Sequence, residues 1–155
     1  MNDFAFALWR HVPAGNQVIS PLSIAATLAM VWTGARGETA RQMAEVLGLA
    51  GDVDTVARTW GERLQALRAG QDATLAVANR LFAQHGYTFD EAFTARLATA
   101  FGAPLELHDF VRDADSVRRH INTWVAQETQ RAIAELLPPN SLTAQTRLAL
   151  VNAVY

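Results

Sequence analysis

The stretch from 18 to 49 constrains the fold most, because it predicts two helices of different kinds with only a tight turn between them. Ser20 is a favourable N-cap residue, Pro21 suits the first helical position, and Gly34 supplies a left-handed stop. The residues between Pro21 and Gly34 leave no polar stripe, so we expect this helix to be covered on all sides. It is too short to span a bilayer. The rest of the chain must therefore pack around it.

A second, amphipathic helix follows the turn at 34–37. Its apolar residues recur at the i, i+3, i+4, i+7 spacing, and Gly48 ends it. These residues are Ala40, Met43, Ala44 and Leu47. Read as a helix-turn-helix, the pair would present only Arg41, Gln42 and Glu45 to DNA, which is too little positive charge to hold phosphates. We therefore expect no nucleic-acid partner.

Length and composition describe one soluble domain or part of one, with 50% apolar and 18% charged residues among 155. The formal net charge of -2 gives no general attraction to an anionic membrane, so we expect no membrane partner. All 13 basic residues are arginine, and the chain contains no cysteine. The absence of lysine excludes Schiff-base catalysis, and the absence of cysteine excludes thiol catalysis, thiolate metal sites and disulfides. Residues 1–17 lack the positive amino end of a signal peptide.

Four further helices are predicted from apolar spacing together with caps and terminating glycines. They are a short helix at 4–9, a helix from Asp52 or Asp54 to Gly70, a helix from a capping box of Thr88 and Glu91 to Gly102, and a helix capped by Asp113 or Asp115. The last of these places Ile121, Trp124 and Val125 on one apolar face. We expect that face to pack against the core.

Strands are predicted in three longer segments and one short one. Residues 74–83 and 147–155 are apolar on both faces, as in strands buried on both sides. Residues 104–110 alternate like a half-buried strand, and 17–19 are a short strand candidate. The chain ends inside the strand at 147–155, where unpaired backbone groups would be shielded from water. We therefore expect the chain to be a portion of a longer protein.

Catalytic and metal-binding patterns are weak in this sequence. His11, His85, His108 and His120 lie in four different elements without i, i+4 pairing, so we expect no metal site. Ser20 and Ser23 have no G-x-S-x-G elbow around them, and capping explains Ser20. The three carboxylates Asp109, Asp113 and Asp115 are explained by capping and by the helix dipole.

Several short sequence motifs follow one another along the chain. They are Asn16 with SPLSI at 20–24, GARG at 34–37, TARQM at 39–43, ANRLF at 78–82, INTWV at 121–125 and VNAVY at 151–155. In this order they resemble the amino-terminal signature of the serpins, and the matches extend from Phe4 to Tyr155. One departure is Arg131, where the family often has glycine.

The resemblance implies an α+β fold, the serpin fold, with helices packed around a large central β-sheet. Residues 1–155 would form the amino-terminal portion of a single serpin domain, without the reactive loop and the carboxy-terminal part. The helix containing Ile121, Trp124 and Val125 would lie across the main sheet. Ser20, Ser23 and Asn152 would belong to the shutter, a polar cluster under that sheet. A buried amide such as that of Asn152 needs hydrogen-bond partners.

The resemblance also implies inhibition of a target serine protease, or less often a cysteine protease, by suicide-substrate trapping. The protease cleaves an exposed loop near the carboxy terminus, and this loop inserts into the main sheet while the protease is still acylated. No catalytic residue, cofactor or metal is implied, and the full-length protein would be a monomer. The implied location is extracellular, although without a signal peptide in this chain a cytoplasmic location stays open.

Three alternatives share these residues. A non-inhibitory serpin, acting as a chaperone or carrier, would have the same amino-terminal portion. A helical interaction module is the fallback if the resemblance misleads. The third alternative is that the chain alone has no activity and misassembles through its open final strand.

Overall fold

A computed structural model describes residues 2–68 and 77–154, in which four helices come first and strands then alternate with two further helices, giving six helices and three strands. The helices are α1 (Asn2–Trp9), α2 (Pro21–Gly34), α3 (Gly37–Leu47), α4 (Val53–Arg68), α5 (Glu91–Phe101) and α6 (Phe110–Glu128). The strands are β1 (Val77–Gln84), β2 (Leu105–His108) and β3 (Leu148–Val154). All six predicted helices and the three longer predicted strands are therefore confirmed. None of the helices in the described ranges combines the length and apolar character that a membrane crossing requires.

The three strands form one sheet in the order β2-β1-β3. The central strand β1 pairs in parallel with β2 and antiparallel with β3. Almost every residue of β1 is buried, as predicted for residues 77–83, whereas 74–76 lie outside the described residues. In β3 only Val151 and Ala153 are fully buried, so the prediction of burial on both faces is wrong there. The reason is that β3 has β1 on one side and no described strand on the other.

Helices cover the sheet on both faces, and each face has its own apolar cluster. Val77 and Leu81 of β1 face the larger cluster, to which α2, α4 and α5 contribute. Ala78 and Phe82 point to the opposite face and pack against α6. This alternation follows from the period of two along a strand. β1 is consequently the centre of a three-layer arrangement.

The beginning of α2 is as predicted, but its end is not. Gly34 is the last helical residue, and the cap is Ala35 with an extended backbone, so the predicted left-handed stop is wrong. Packing favours glycine here instead, because a Cβ at Gly34 would lie 2.9 Å from Cε2 of Phe93. Ile24 is 36% exposed and Val31 44%, so full coverage of α2 is also wrong among the described residues. These side chains border surface grooves beside β3.

Two further local predictions are corrected. Residues 17–19 form no strand, and Val18 is 99% exposed, because no described strand lies beside this segment. The capping box of Thr88 and Glu91 is replaced by a single cap, Asp90, whose carboxylate accepts the Phe93 N–H at 2.7 Å. Asp90 directly precedes the first helical residue and is therefore the nearer acceptor.

Helix α6 begins earlier than predicted. Asp109 caps the first turn, and Asp113 interrupts the helix with φ -154° and ψ 76°. The carboxylate of Asp113 then accepts the Ser116 N–H at 2.8 Å, which caps the longer second part of α6. Asp113 is thus confirmed as a cap. Asp115 pairs with arginines of α6 instead.

Arg131 follows α6 with a left-handed backbone, φ 67°, at the position where serpins often have glycine. A side chain in this conformation costs roughly 1–2 kcal/mol, part of which glycine recovers. We expect Arg131→Gly to raise the free energy of unfolding by about 1 kcal/mol. Arg131→Ala, which removes the charge but keeps Cβ, serves as the control in urea unfolding. Equal stability of the two variants would contradict the prediction.

Candidate functional site

A chain of side-chain hydrogen bonds runs under the sheet from α2 to α5, and we call it the polar bridge. Ser23 Oγ donates to Asn152 Oδ1. Asn152 Nδ2 donates to Asn79 Oδ1 at 2.6 Å, and Asn79 Nδ2 donates to the carbonyl oxygen of Phe101 at 2.8 Å. The polar bridge therefore joins two helices through the two strands between them.

The geometry of the polar bridge follows from strand register and from a helix end. Asn79 and Asn152 are direct partners in the antiparallel pair of β1 and β3. Phe101 is the last residue of α5, and the final carbonyls of a helix have no donor within the helix. Asn79 is only 3% exposed, so both ends of its amide must be bonded within the protein. The polar bridge meets that requirement.

The predicted site residues Ser20, Ser23 and Asn152 do not all meet. Ser23 and Asn152 are bonded to each other, whereas Ser20 is exposed and accepts the N–H of Ser23 at 3.3 Å as the N-cap of α2. Ser20 thereby fixes the helical turn that carries Ser23. Sequence reasoning missed Asn79; an amide inside an otherwise apolar strand signals that a hydrogen-bond partner is needed, but only the strand register shows that this partner is Asn152.

Helix α6 lies over the opposite face of the sheet from α2. Ile121 and Val125 are fully buried there, and Trp124 is buried against Phe82, with ring centroids 5.6 Å apart. The Arg80 guanidinium lies 4.9 Å from the centroid of the Trp124 ring, which adds a cation–π contact. The three predicted side chains thus share the face that covers β1.

The segment after α6 is held by Asn122, a residue that sequence reasoning did not select. Its Oδ1 accepts the N–H groups of Leu136 and Leu137 at 3.1 and 2.8 Å. Its Nδ2 donates to the Leu137 carbonyl at 2.9 Å. These bonds place both leucines in the wall of a groove that continues along β3.

A second polar cluster forms where α6 crosses β2. Nε2 of His108 and Nε2 of His120 lie 2.8 and 2.7 Å from the same oxygen, Oε1 of Glu106. These two histidines lie in different elements, as predicted, yet their ring centroids are only 4.7 Å apart. The reason is tertiary, because α6 folds back over the strand that precedes it. On β2, Glu106 and His108 are half-buried while Leu107 is 52% exposed, since the polar side chains face α6.

The carboxyl of Glu106 is held in its ionised form. Burial opposes ionisation, but the hydrogen bond from His108, the charge of His120 and the hydrogen bond from Arg80 outweigh it and lower the pKa of Glu106. Arg80 Nη1 donates to Oε2 at 3.0 Å, which leaves Oε1 to the histidines.

Comparison with known proteins agrees with this architecture. A sequence model of the family described as Serpin (serine protease inhibitor) matches residues 1–155. The chain belongs to the serpin family. The human protein Serpin B9 is 41% identical over 143 residues, covering 92% of this chain and 38% of that protein. The bovine leukocyte elastase inhibitor is 40% identical over 153 residues, covering 99% of this chain and 40% of that protein. The chain thus spans about two-fifths of the length of these serpins.

Solved serpin structures share the fold. A cleaved serpin, Serpin 42Da, aligns with a TM-score of 0.86 at 34% identity, covering 98% of this chain and 40% of that chain. The native stressed conformation of AtSerpin1 from Arabidopsis aligns with a TM-score of 0.83 at 28% identity, again covering 98% and 40%. The α+β serpin fold expected from the sequence is therefore confirmed. Family membership also removes the fallback of an unrelated helical interaction module.

Proposed function

We propose that the chain forms the amino-terminal portion of a single serpin domain in a longer protein that inhibits a serine protease, or less often a cysteine protease. Two findings support the proposal. The family is described as one of serine protease inhibitors, and a relative that matches almost the whole chain is called leukocyte elastase inhibitor. The extracellular location implied by the resemblance stays a prediction.

The observation that carries the proposal is the match of residues 1–155 to the serpin family, and the outer edge of β3 is where the proposed mechanism adds a strand. Within residues 2–68 and 77–154 no strand pairs with this edge, although β3 pairs along its other edge with β1. Beside it runs a groove of about 430 Å³, whose apolar lining includes Ile24, Leu28, Leu142 and Leu150. A strand added there would gain main-chain hydrogen bonds and an apolar surface to cover.

The proposed mechanism uses this edge. The protease attacks an exposed loop in the carboxy-terminal part, and its nucleophile becomes acylated as the loop peptide bond breaks. The free end of the loop then joins the sheet as a new strand before water hydrolyses the acyl bond, and the attached protease is distorted. This chain contributes the scaffold and no catalytic residue.

Within that mechanism we assign the shutter role to the polar bridge. Ser23 and Asn152 tie the edge strand β3 to α2, and Ser20 acts as a positioning residue through the first turn of α2. Ile121, Trp124 and Val125 hold α6 on the far face of the sheet. Movement of β3 relative to α2 must break or rearrange the bond between Ser23 and Asn152.

The test is incubation of the full-length protein with a panel of serine proteases that includes leukocyte elastase. We expect a complex that survives denaturing electrophoresis, because an acyl bond is covalent. The matched control is the same protease with its nucleophilic serine replaced by alanine, which cannot be acylated and should give no such band.

A second readout tests the insertion itself. Cleavage of the loop by a protease that is not trapped is expected to raise the melting temperature, because the added strand is stabilising. If every protease cleaves the loop without a stable complex and without a rise in melting temperature, the inhibitory proposal is wrong. A chaperone or carrier role would then be the better assignment.

A further inference from the structure

The cluster of Glu106, His108 and His120 has no role in the proposed inhibitory mechanism. All three residues offer ligand atoms that lie within 4.8 Å of one another, from β2 and from α6. We propose that these three side chains bind a divalent transition-metal ion, with Zn²⁺ as the preferred ion. The proposal rests on the local geometry and is independent of protease inhibition.

The two distances from the histidine nitrogens to Glu106 are close to those found around a metal ion. Each histidine Nε2 lies within 2.8 Å of Glu106 Oε1. Ligand atoms around a tetrahedral Zn²⁺ with bonds of about 2.0–2.1 Å are roughly 3.3 Å apart. Each contact would therefore lengthen by about half an ångström, and each imidazole would bind the ion through an Nε2 that carries no proton.

The donor set favours zinc over a hard cation. Two imidazole nitrogens and one carboxylate oxygen are typical of zinc sites that keep a fourth position for water, whereas Mg²⁺ and Ca²⁺ prefer oxygen ligands. The cluster is open to solvent beside His120, because 47% of that side chain is exposed. The fourth ligand can thus come from solvent.

Arg80 and Phe82 surround the cluster; both restrict the ligand side chains, and the charge of Arg80 also weakens metal binding. Arg80 holds Oε2 of Glu106 at 3.0 Å and so turns Oε1 toward both histidines. The Phe82 ring lies 5.7 Å from the His108 ring and 6.1 Å from the His120 ring, which limits water on that side. The positive charge of Arg80 repels a cation, so we expect weaker binding than at a structural zinc site with several anionic ligands.

Binding would have a structural consequence. One ligand residue is on α6 and two are on β2, so the ion would link the helix that covers the sheet to β2. An ion that binds only the folded state stabilises that state. We therefore expect ZnCl₂ to raise the melting temperature of the full-length protein.

Titration of the full-length protein with ZnCl₂ in a calorimeter tests the proposal. We expect one ion per chain, and we expect His120→Ala to weaken binding by about tenfold or more. CoCl₂ should give the visible absorption bands of a four-coordinate site, which the same variant abolishes. His11→Ala, which removes an exposed histidine outside the cluster, is the matched control and should bind as the unmodified protein does.

Glu106→Gln provides a second variant that keeps the shape of the side chain. It should also weaken zinc binding while far-ultraviolet circular dichroism stays unchanged. Absence of zinc binding to the unmodified protein would overturn the proposal. Unchanged affinity in His120→Ala, or loss of affinity in His11→Ala instead, would overturn it as well.

Discussion

Replacing Asn79 by alanine is expected to lower the free energy of unfolding by about 3 kcal/mol, because it removes the middle of the polar bridge. The Phe101 carbonyl loses its donor, and Nδ2 of Asn152 loses its acceptor. Each buried polar group left without a partner costs about 1–3 kcal/mol. Asn79 is almost fully buried, so water replaces these bonds poorly.

Urea unfolding of the full-length protein measures this loss. Asn16→Ala is the matched control, because Asn16 is exposed and a surface change of this kind is expected to stay within about 0.5 kcal/mol. A double-mutant cycle with Asn152→Ala should show coupling, since the two amides bond to each other. Additive effects, or a loss no larger than in Asn16→Ala, would contradict the prediction.

Gly61→Ala is expected to lower the free energy of unfolding by about 2 kcal/mol, although alanine is the better helix former. Gly61 lies where α4 crosses α5, and a Cβ there would be 2.5 Å from the Ala100 carbonyl oxygen. The contacting atom belongs to the backbone, so the two helices must move apart. Overpacking of this kind costs about 1–3 kcal/mol, and higher helix propensity offsets at most about 1 kcal/mol.

Gly34→Ala separates steric repulsion from helix propensity. Its Cβ would meet Phe93 ring carbons at 2.9 and 3.0 Å, and a half-buried side chain can turn aside. We therefore expect a smaller loss than for Gly61→Ala. Both are compared by thermal unfolding, with Gln65→Ala on the exposed side of α4 as a neutral control. A Gly61→Ala protein as stable as the unmodified one would contradict the prediction.

The sequence predicted helix ends correctly where they depend on contacts between residues that are close in the chain. The N-cap at Ser20 and the glycine stops at Gly48 and Gly102 depend on hydrogen bonds that span only a few residues. The prediction failed for Gly34, where a side chain 59 residues later in the sequence, that of Phe93, is what favours glycine. The strand at 17–19 failed for a related reason, since a strand exists only when it has a neighbour.

The candidate site was predictable in part. The amide of Asn152 required partners because of its apolar neighbours, and the resemblance selected Ser23. Neither argument could identify Asn79 as the acceptor, because that depends on the register between β1 and β3. The meeting of His108 and His120 was equally hidden, since sequence spacing does not show that α6 returns over β2.

By itself the sequence determined where the six helices and the three longer strands lie, because capping and apolar period act between near neighbours. It also determined which family the chain resembles, because the short motifs are specific as a set. Only the tertiary structure decided which polar groups meet: Ser23 and Asn152 are 129 positions apart, yet they share a hydrogen bond. Such contacts depend on how layers stack and how strands align. A side chain's distant partners are therefore set by the fold as a whole.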